Sequence, residues 1–264
     1  MRVYLSLGSA LAAVLLSSCT TSEDHAASPQ WVSIFDGETL EGWTPKINGQ
    51  APGEDSGGIF RIENNTLIVS YDTYSDFSGE FGHLFFAEPL SDYRLRFSYA
   101  FGADQVAGGP GWAFMNSGVM VHAQAPDKMR VDQPFPISVE AQLLGKSDAT
   151  PTRTTANMCS PGTHVVIDST LTKTHCVKSQ TPARSAGEWA QFELEVRGGA
   201  LITLSIDGEE AFRLTDPVFD ERDPDVERLG LNGPVTRGYF ALQAESHPVM
   251  FRDIELMRLD PSAP

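Results

Sequence analysis

The sequence predicts an all-β fold, two antiparallel sheets packed as a sandwich, and three observations predict it. Apolar residues recur with a period of two. In 92–101, Tyr93, Leu95, Phe97, Tyr99 and Phe101 alternate with Arg94, Arg96, Ser98 and Ala100, and in 191–197 Phe192, Leu194 and Val196 alternate with Glu193, Glu195 and Arg197. Such runs are bounded by Gly, Pro, Asn and Asp along the whole chain. No window of twelve residues carries a helical stripe. Elements of one type, with half of each strand apolar, bury that half only by facing a second sheet.

The N-terminus stands outside this fold. Arg2 precedes an apolar run over 3–16, too short to span a bilayer as a mature helix. Leu16-Ser17-Ser18-Cys19 resembles the lipobox of bacterial lipoprotein signals. The resemblance implies a signal peptide over 1–18, cleavage before Cys19 and a diacylglyceryl group on its thiol. Residues 19–30 then read as a lipidated cysteine and flexible tether, and 31–260 as one sandwich domain. Thr20 in place of Asp implies passage to the outer membrane, so the expected location is the cell envelope, anchored by lipid only.

Two hairpins follow from turn chemistry. Residues 60–62 and 66–69 flank Glu63-Asn64-Asn65, and 201–206 turn at Asp207-Gly208 into 211–214. Asn64-Asn65-Thr66 is a formal glycosylation sequon, read here as turn chemistry. Strand number and chain length fit a jelly roll of the concanavalin A or laminin-G type. Two stretches, 102–111 and 145–188, read as long irregular loops.

The formal net charge of −16 repels phosphate backbones and excludes nucleic acid as a natural partner. Removing the leader takes away Arg2 and no acid, which makes the field more negative. Apart from Cys19, the cysteines are Cys159 and Cys176, which are expected to pair in an oxidising compartment. A loop of that span contributes on the order of 3 kcal/mol. Without a CxxC spacing they make a poor zinc site, and no metal site is predicted.

Three strands pair an apolar face with one bearing carboxylate, amide or imidazole. In 116–123, Asn116, Gly118, Met120 and His122 point together. In 136–145, Ser138, Glu140, Gln142 and Leu144 do so, and near the C-terminus Tyr239, Ala241, Gln243 and Glu245, with His247 just beyond. A merely solvated face carries Lys, Thr and scattered charge. This set suits hydrogen bonding to a sugar, plus an acid and a base. Glu221-Arg222-Asp223-Pro224-Asp225-Val226-Glu227 matches the ExDxxxE spacing of some sandwich-fold glycosidases, but Pro224 cannot pair within a sheet, and the segment reads as an acidic surface loop.

Ordered segments then resemble the 3-keto-disaccharide hydrolase family, also described as 3-keto-glucoside 1,2-lyases and 3-keto-2-hydroxyglucal hydratases. They are Phe35-Asp36-Gly37 with Leu40-Glu41-Gly42-Trp43, Phe81-Gly82-His83-Leu84-Phe85, Asp92-Tyr93-Arg94-Leu95-Arg96, and Asn116-Ser117-Gly118-Val119-Met120-Val121-His122. Ser138-Val139-Glu140-Ala141-Gln142-Leu143-Leu144-Gly145, Leu242-Gln243-Ala244-Glu245-Ser246-His247-Pro248 and Phe251-Arg252-Asp253-Ile254 complete the set. Cys159-Ser160-Pro161-Gly162-Thr163 with His175-Cys176 resembles a subgroup with that cysteine pair. Met115 stands where the family often has Arg.

The resemblance implies that a ketone at C3 acidifies the C2 hydrogen, that a base removes it, and that the C1 oxygen leaves. Glu140 or His122 is then the base and Glu245 or His247 the acid. Asn116, Gln142, Gln243 and Arg252 bind or polarise the substrate. A divalent cation is compatible with this chemistry, although no compact ligand motif occurs. A separate sugar 3-dehydrogenase is implied, since no nucleotide-binding fingerprint is present. The alternatives are a non-catalytic carbohydrate-binding module on the same fold, or a structural envelope lipoprotein.

Overall fold

The computed structural model describes Met1 and residues 29–261, so the expected signal peptide, Cys19 and nearly all of the tether lie outside the described residues. In chain order the strands are β1 (Val32–Ser33), β2 (Trp43–Ile47), β3 (Phe60–Glu63), β4 (Thr66–Val69), β5 (Gly82–Phe86), β6 (Asp92–Phe101), β7 (Asn116–Ala123), β8 (Val139–Lys146) and β9 (Asn157–Cys159). Then come β10 (Thr163–Ile167), β11 (Thr170–Thr172), β12 (Cys176–Val177), β13 (Arg184–Ser185), β14 (Ala190–Arg197), β15 (Leu201–Ile206), β16 (Glu209–Phe219), β17 (Tyr239–Ala244) and β18 (Val249–Arg258). Among the described residues one short α-helix, α1 (Pro224–Leu229), lies between β16 and β17.

They form two sheets. A ten-stranded sheet runs β11-β10-β16-β15-β14-β6-β18-β4-β3 with β1 on β18, and an eight-stranded sheet runs β12-β9-β8-β7-β17-β5-β2 with β13 on β8. Every pairing is antiparallel except β13 with β8. This is the expected sandwich. The period of two decides it: Leu95, Phe97, Phe192 and Leu194 meet Leu84, Val119, Val139, Ala141, Leu143, Phe240 and Leu242 between the sheets, all of them buried. Phe97 stacks on Phe192 with ring centroids 4.9 Å apart, and Phe86 on Phe240 at 5.0 Å.

Both predicted hairpins form. Asn64 and Asn65 have φ of 50° and 60°, and Asp207 and Gly208 have 52° and 83°, the left-handed pair that matches strand twist in a two-residue turn. Two expectations fail. The stretch 145–188 is not one irregular loop, because β9 to β13 lie within it and carry the chain from the eight-stranded sheet to the other and back. Its Ser, Thr and Pro content hid β-branched pairs such as Val165-Val166, with Val165 fully buried. The acidic segment after 220 is also more than a surface loop. Asp223 caps α1 by accepting from the Asp225 and Val226 amides, Pro224 opens it, and Gly230 closes it at φ 64°. Asp225 is buried between Arg130 and Arg228, so these carboxylates serve the helix and its docking.

Candidate functional site

The site lies on the outer face of the eight-stranded sheet. A sheet with one face on the core leaves the other to solvent, yet β7 is buried at every residue, and β8 and β17 at nearly every one. Segments outside the strands cover this face. Trp112, Phe135, Pro161 and His175 wall a cavity of about 410 Å³ whose floor carries Asn116, Glu140, Gln142 and Glu245, with the Cys159–Cys176 disulfide at one side. The disulfide joins residues directly opposite each other in the β9–β12 pair.

Register explains the convergence. Met120 pairs with Glu140 and Gly118 with Gln142, and Asn116, Gly118 and Met120 share a face by alternation. Glu140 folds across Gly118: a Cβ on that glycine would stand 3.1 Å from the Oε1 of Glu140 and 3.0 Å from the Ala141 carbonyl. Gln142 accepts at Oε1 from Asn157 Nδ2 at 3.1 Å, which leaves its Nε2 as the free donor. Asn157 is itself fixed by Thr154 Oγ1 and the Ser179 amide, at 2.9 and 3.0 Å. Asn116 donates weakly to the Trp112 carbonyl at 3.4 Å, and its Oδ1 is buried with no partner in the protein.

The two carboxylates dominate the electrostatics. Each has one buried oxygen, Oε1 of Glu140 and Oε2 of Glu245, with no hydrogen-bond partner among the described residues. Burial pushes the Glu140 carboxyl up to about 8. Burial raises Glu245 well above the usual carboxylate range, and charge on Glu140 raises it further. The cation that opposes this rise at Glu245 is Arg153, which sequence reasoning missed. Its Nη1 donates to the Phe114 and Gly145 carbonyls at 2.5 and 3.2 Å, beside position 115. Met115 turns its side chain into the core at φ 43°, and the Arg153 guanidinium bonds the carbonyl of the residue before it.

Three expected site residues lie elsewhere. His122 breaks the alternation of β7 at φ 52°, where the β7–β17 register slips. Its Nε2 bonds the Gly198 carbonyl at 2.9 Å, and it lines a separate, mainly apolar cavity with Phe219, Leu229 and Tyr239. His247 follows Ser246, whose φ of 72° turns the chain. Its Nε2 bonds the Gly102 carbonyl at 3.0 Å, and its ring packs against Phe101 and Phe114. Burial lowers both imidazoles, which keeps them neutral. Arg252 is exposed on β18 of the other sheet, with its guanidinium 4.0 Å over the Trp189 ring. Of the histidines beside the disulfide, His175 walls the cavity, while His164 pairs with Asp220 at 3.5 Å in an adjoining cleft.

Gln243 is fully buried next to the floor, and neither side-chain atom has a protein partner. Directly across the β5–β17 pair stands His83, fully buried with both ring nitrogens unpartnered, and beyond it Lys46, whose Nζ donates to the Ile47 and Val131 carbonyls at 2.8 and 3.0 Å. Neither His83 nor Lys46 was among the expected site residues. The available signal was one imidazole between Phe81 and Phe85 on an otherwise aromatic face. Among the described residues no group of three or more His, Cys, Asp or Glu is arranged to hold a metal ion.

Comparison with known proteins agrees with this architecture. The family model of the 3-keto-alpha-glucoside-1,2-lyase-like domain matches residues 30–257, and the chain belongs to that family. No curated protein matches the sequence. Two crystal structures from Parabacteroides distasonis, each carrying a provisional glycosyl-hydrolase description, share the fold. One is 17% identical with a TM-score of 0.54 over 87% of this chain and 94% of its own. The other is 15% identical with 0.52 over 87% and 100%.

Proposed function

From membership of this family, we propose that the protein cleaves 3-keto-glucosides by removing the C2 proton and expelling the C1 oxygen, then hydrates the unsaturated product, for net hydrolysis. The observation that carries the reading is the buried pair Glu140 and Glu245 in one cavity. Ionising Glu140 raises Glu245, so the two together hold one base and one acid.

Glu140 carboxylate takes the C2 proton. The C–H electron pair becomes the C2=C3 bond, and the carbonyl pair moves to the C3 oxygen. When that oxygen re-forms the ketone, the C2=C3 pair becomes C1=C2, and the C1–O bond breaks with its electrons on the leaving oxygen. Glu245 protonates that oxygen. Water then adds its oxygen to C1 and a proton to C2. In this reading Asn116 and Gln142, which line the cavity, hold sugar hydroxyls, and Trp112 and Phe135 face the apolar side of the ring. The ketone must come from a separate sugar 3-dehydrogenase. We place the reaction in the cell envelope, with Cys19 as lipid anchor. The disulfide supports an oxidising compartment.

The second reading is a carbohydrate-binding module, favoured by the burial of Met115 in the core instead of a cationic side chain in the cavity. The test is aglycone release from 3-keto-glucosides by a soluble form lacking Cys19, with and without divalent metal, beside Glu140→Gln. The enzyme reading expects turnover that falls by about 10³-fold in the variant. Binding without turnover across linkages establishes the module.

A further inference from the structure

Deprotonation beside a ketone needs more than a base, because the charge that leaves carbon arrives on the C3 oxygen. That oxygen needs donors already in place. The cavity as it stands offers two carboxylates and two amides. Next to it, under a cover, lie donors that nothing in the protein uses.

His83 and Gln243 are fully buried and directly opposite each other on β5 and β17, and all four of their side-chain polar atoms lack a hydrogen-bond partner among the described residues. A buried donor or acceptor left unpaired costs the fold its desolvation, so four together on facing residues are not neutral for it. Polar groups in that state mark a place where a ligand or a water completes the bonding. The backbone of Gln243 is also held in place, since Ser117 Oγ donates to its main-chain carbonyl at 2.8 Å. Continuing the β7–β17 register puts it opposite Gly118, over which the Glu140 carboxylate lies. Adjacent strands stand about 4.8 Å apart, the scale of the distance between a base at C2 and a donor at the C3 oxygen.

What packs against the His83 side is aromatic. Phe135 meets the His83 ring edge-on at 5.9 Å and Phe81 at 5.1 Å, and Phe81 stacks on Trp112 at 5.6 Å. Phe135 is only half-buried, sits between Pro134 and Pro136 outside any strand, and walls both the site cavity and the adjoining cleft. A ring in that position can turn aside without disturbing a ladder.

We propose that His83 and Gln243 form the donor pocket for the C3 oxygen, uncovered when Phe135 turns away and completed by the enolate that Glu140 generates. The inference rests on the proposed 3-keto-glucoside reading. The imidazole acts as a neutral donor throughout: burial and the neighbouring Lys46 push it down to about 3. It polarises the ketone through an N–H and does not transfer a proton. Gln243 Nε2 supplies the second hydrogen bond. No bond to the protein forms or breaks in this step. The C2 proton stays on Glu140 while the two N–H groups share the charge on oxygen.

The test follows C2–H exchange into deuterated water by NMR, alongside turnover, in wild type, His83→Phe, His83→Gln and Gln243→Leu. We expect kcat and C2 exchange to fall by about 10²–10³-fold in His83→Phe and Gln243→Leu, with KM changed only a few-fold. His83→Gln keeps an N–H and recovers part of the loss. His83→Phe removes an unpaired buried group, so its melting temperature equals or exceeds that of wild type. A purely structural histidine predicts the reverse: a lower melting temperature, parallel losses in kcat and KM, and no rescue by Gln. That pattern, or exchange in His83→Phe within about three-fold of wild type, overturns the donor pocket alone. Wild type that neither exchanges nor turns over 3-keto-glucosides overturns the underlying reading as well.

Discussion

The outer faces of the two sheets come from the same strand pattern, apolar residues alternating with polar ones, and they differ in what the polar residues do. On the ten-stranded sheet, Arg94 bonds Glu193, Arg96 Nε meets Glu255 at 2.7 Å and Arg197 meets Glu195 at 3.0 Å, while Trp31 lies over the Arg96 guanidinium at 4.1 Å. These side chains are about one-third exposed and satisfied by opposite charge. On the eight-stranded sheet the polar residues are amides, carboxylates and imidazole, buried under loops, with oxygens and nitrogens that no protein group meets. Charge pairing in partial solvent is what a face does when it has no other task. Burial without pairing raises the carboxylates and holds donors and acceptors ready, at a cost in stability that the rest of the sandwich offsets.

Four outcomes break or sharpen that contrast. The largest is expected at the edge of the buried face. Replacing both Cys159 and Cys176 by Ser removes the link that holds the cavity wall, and chemical denaturation should show a loss of about 3 kcal/mol. An unchanged midpoint means that the flanking strands hold the wall unaided. Next, Gly118→Ala places a methyl group 3.1 Å from Glu140 Oε1. The carboxylate must then give by a few tenths of an ångström, which should lower kcat by about 3–10-fold. Unchanged turnover in that variant means that the carboxylate is not held to the tolerance its role as base requires.

The third outcome is pH dependence. Glu140 and Glu245 have folded values raised above the usual 4.5. Above that pH the folded protein holds protons that the unfolded chain has released, so stability falls as pH rises, until the folded groups ionise. His83, His122 and His247, all lowered, act oppositely below about 6.5 and drop out above it. Between pH 7 and 8 stability should fall by about 1–2 kcal/mol per pH unit, and Glu140→Gln should flatten the slope. A flat wild-type profile means that the pair is solvated. The smallest effect belongs to the other face. Glu255→Gln breaks the Arg96 pair and should cost less than about 1 kcal/mol with turnover unchanged. A larger loss makes that face more than a solvated one.

The period of two in 92–101 and 191–197 marks strands that need a second sheet, and Asn64-Asn65 and Asp207-Gly208 mark their turns, because these depend on residues adjacent in the chain. Glu140, Gln142, Asn116 and Glu245 were legible as polar positions on otherwise apolar strands for the same reason. His122 and His247 were misplaced because single residues with positive φ redirect the chain, and alternation does not carry across such a point. Arg153 lay unseen in a Ser, Thr and Pro-rich stretch, and its role beside Glu245 exists only through the Phe114 and Gly145 carbonyls it bonds.

By itself the sequence determined the class of fold, the cysteine pairing and the strands that carry the polar groups. All three are written in local alternation and composition. The tertiary structure alone decided that this face is covered, that Glu140 and Glu245 share a cavity, and that His83, packed against Phe135, stands opposite Gln243. Burial and proximity between residues far apart in the chain arise from strand order and loop packing. They have no period to read.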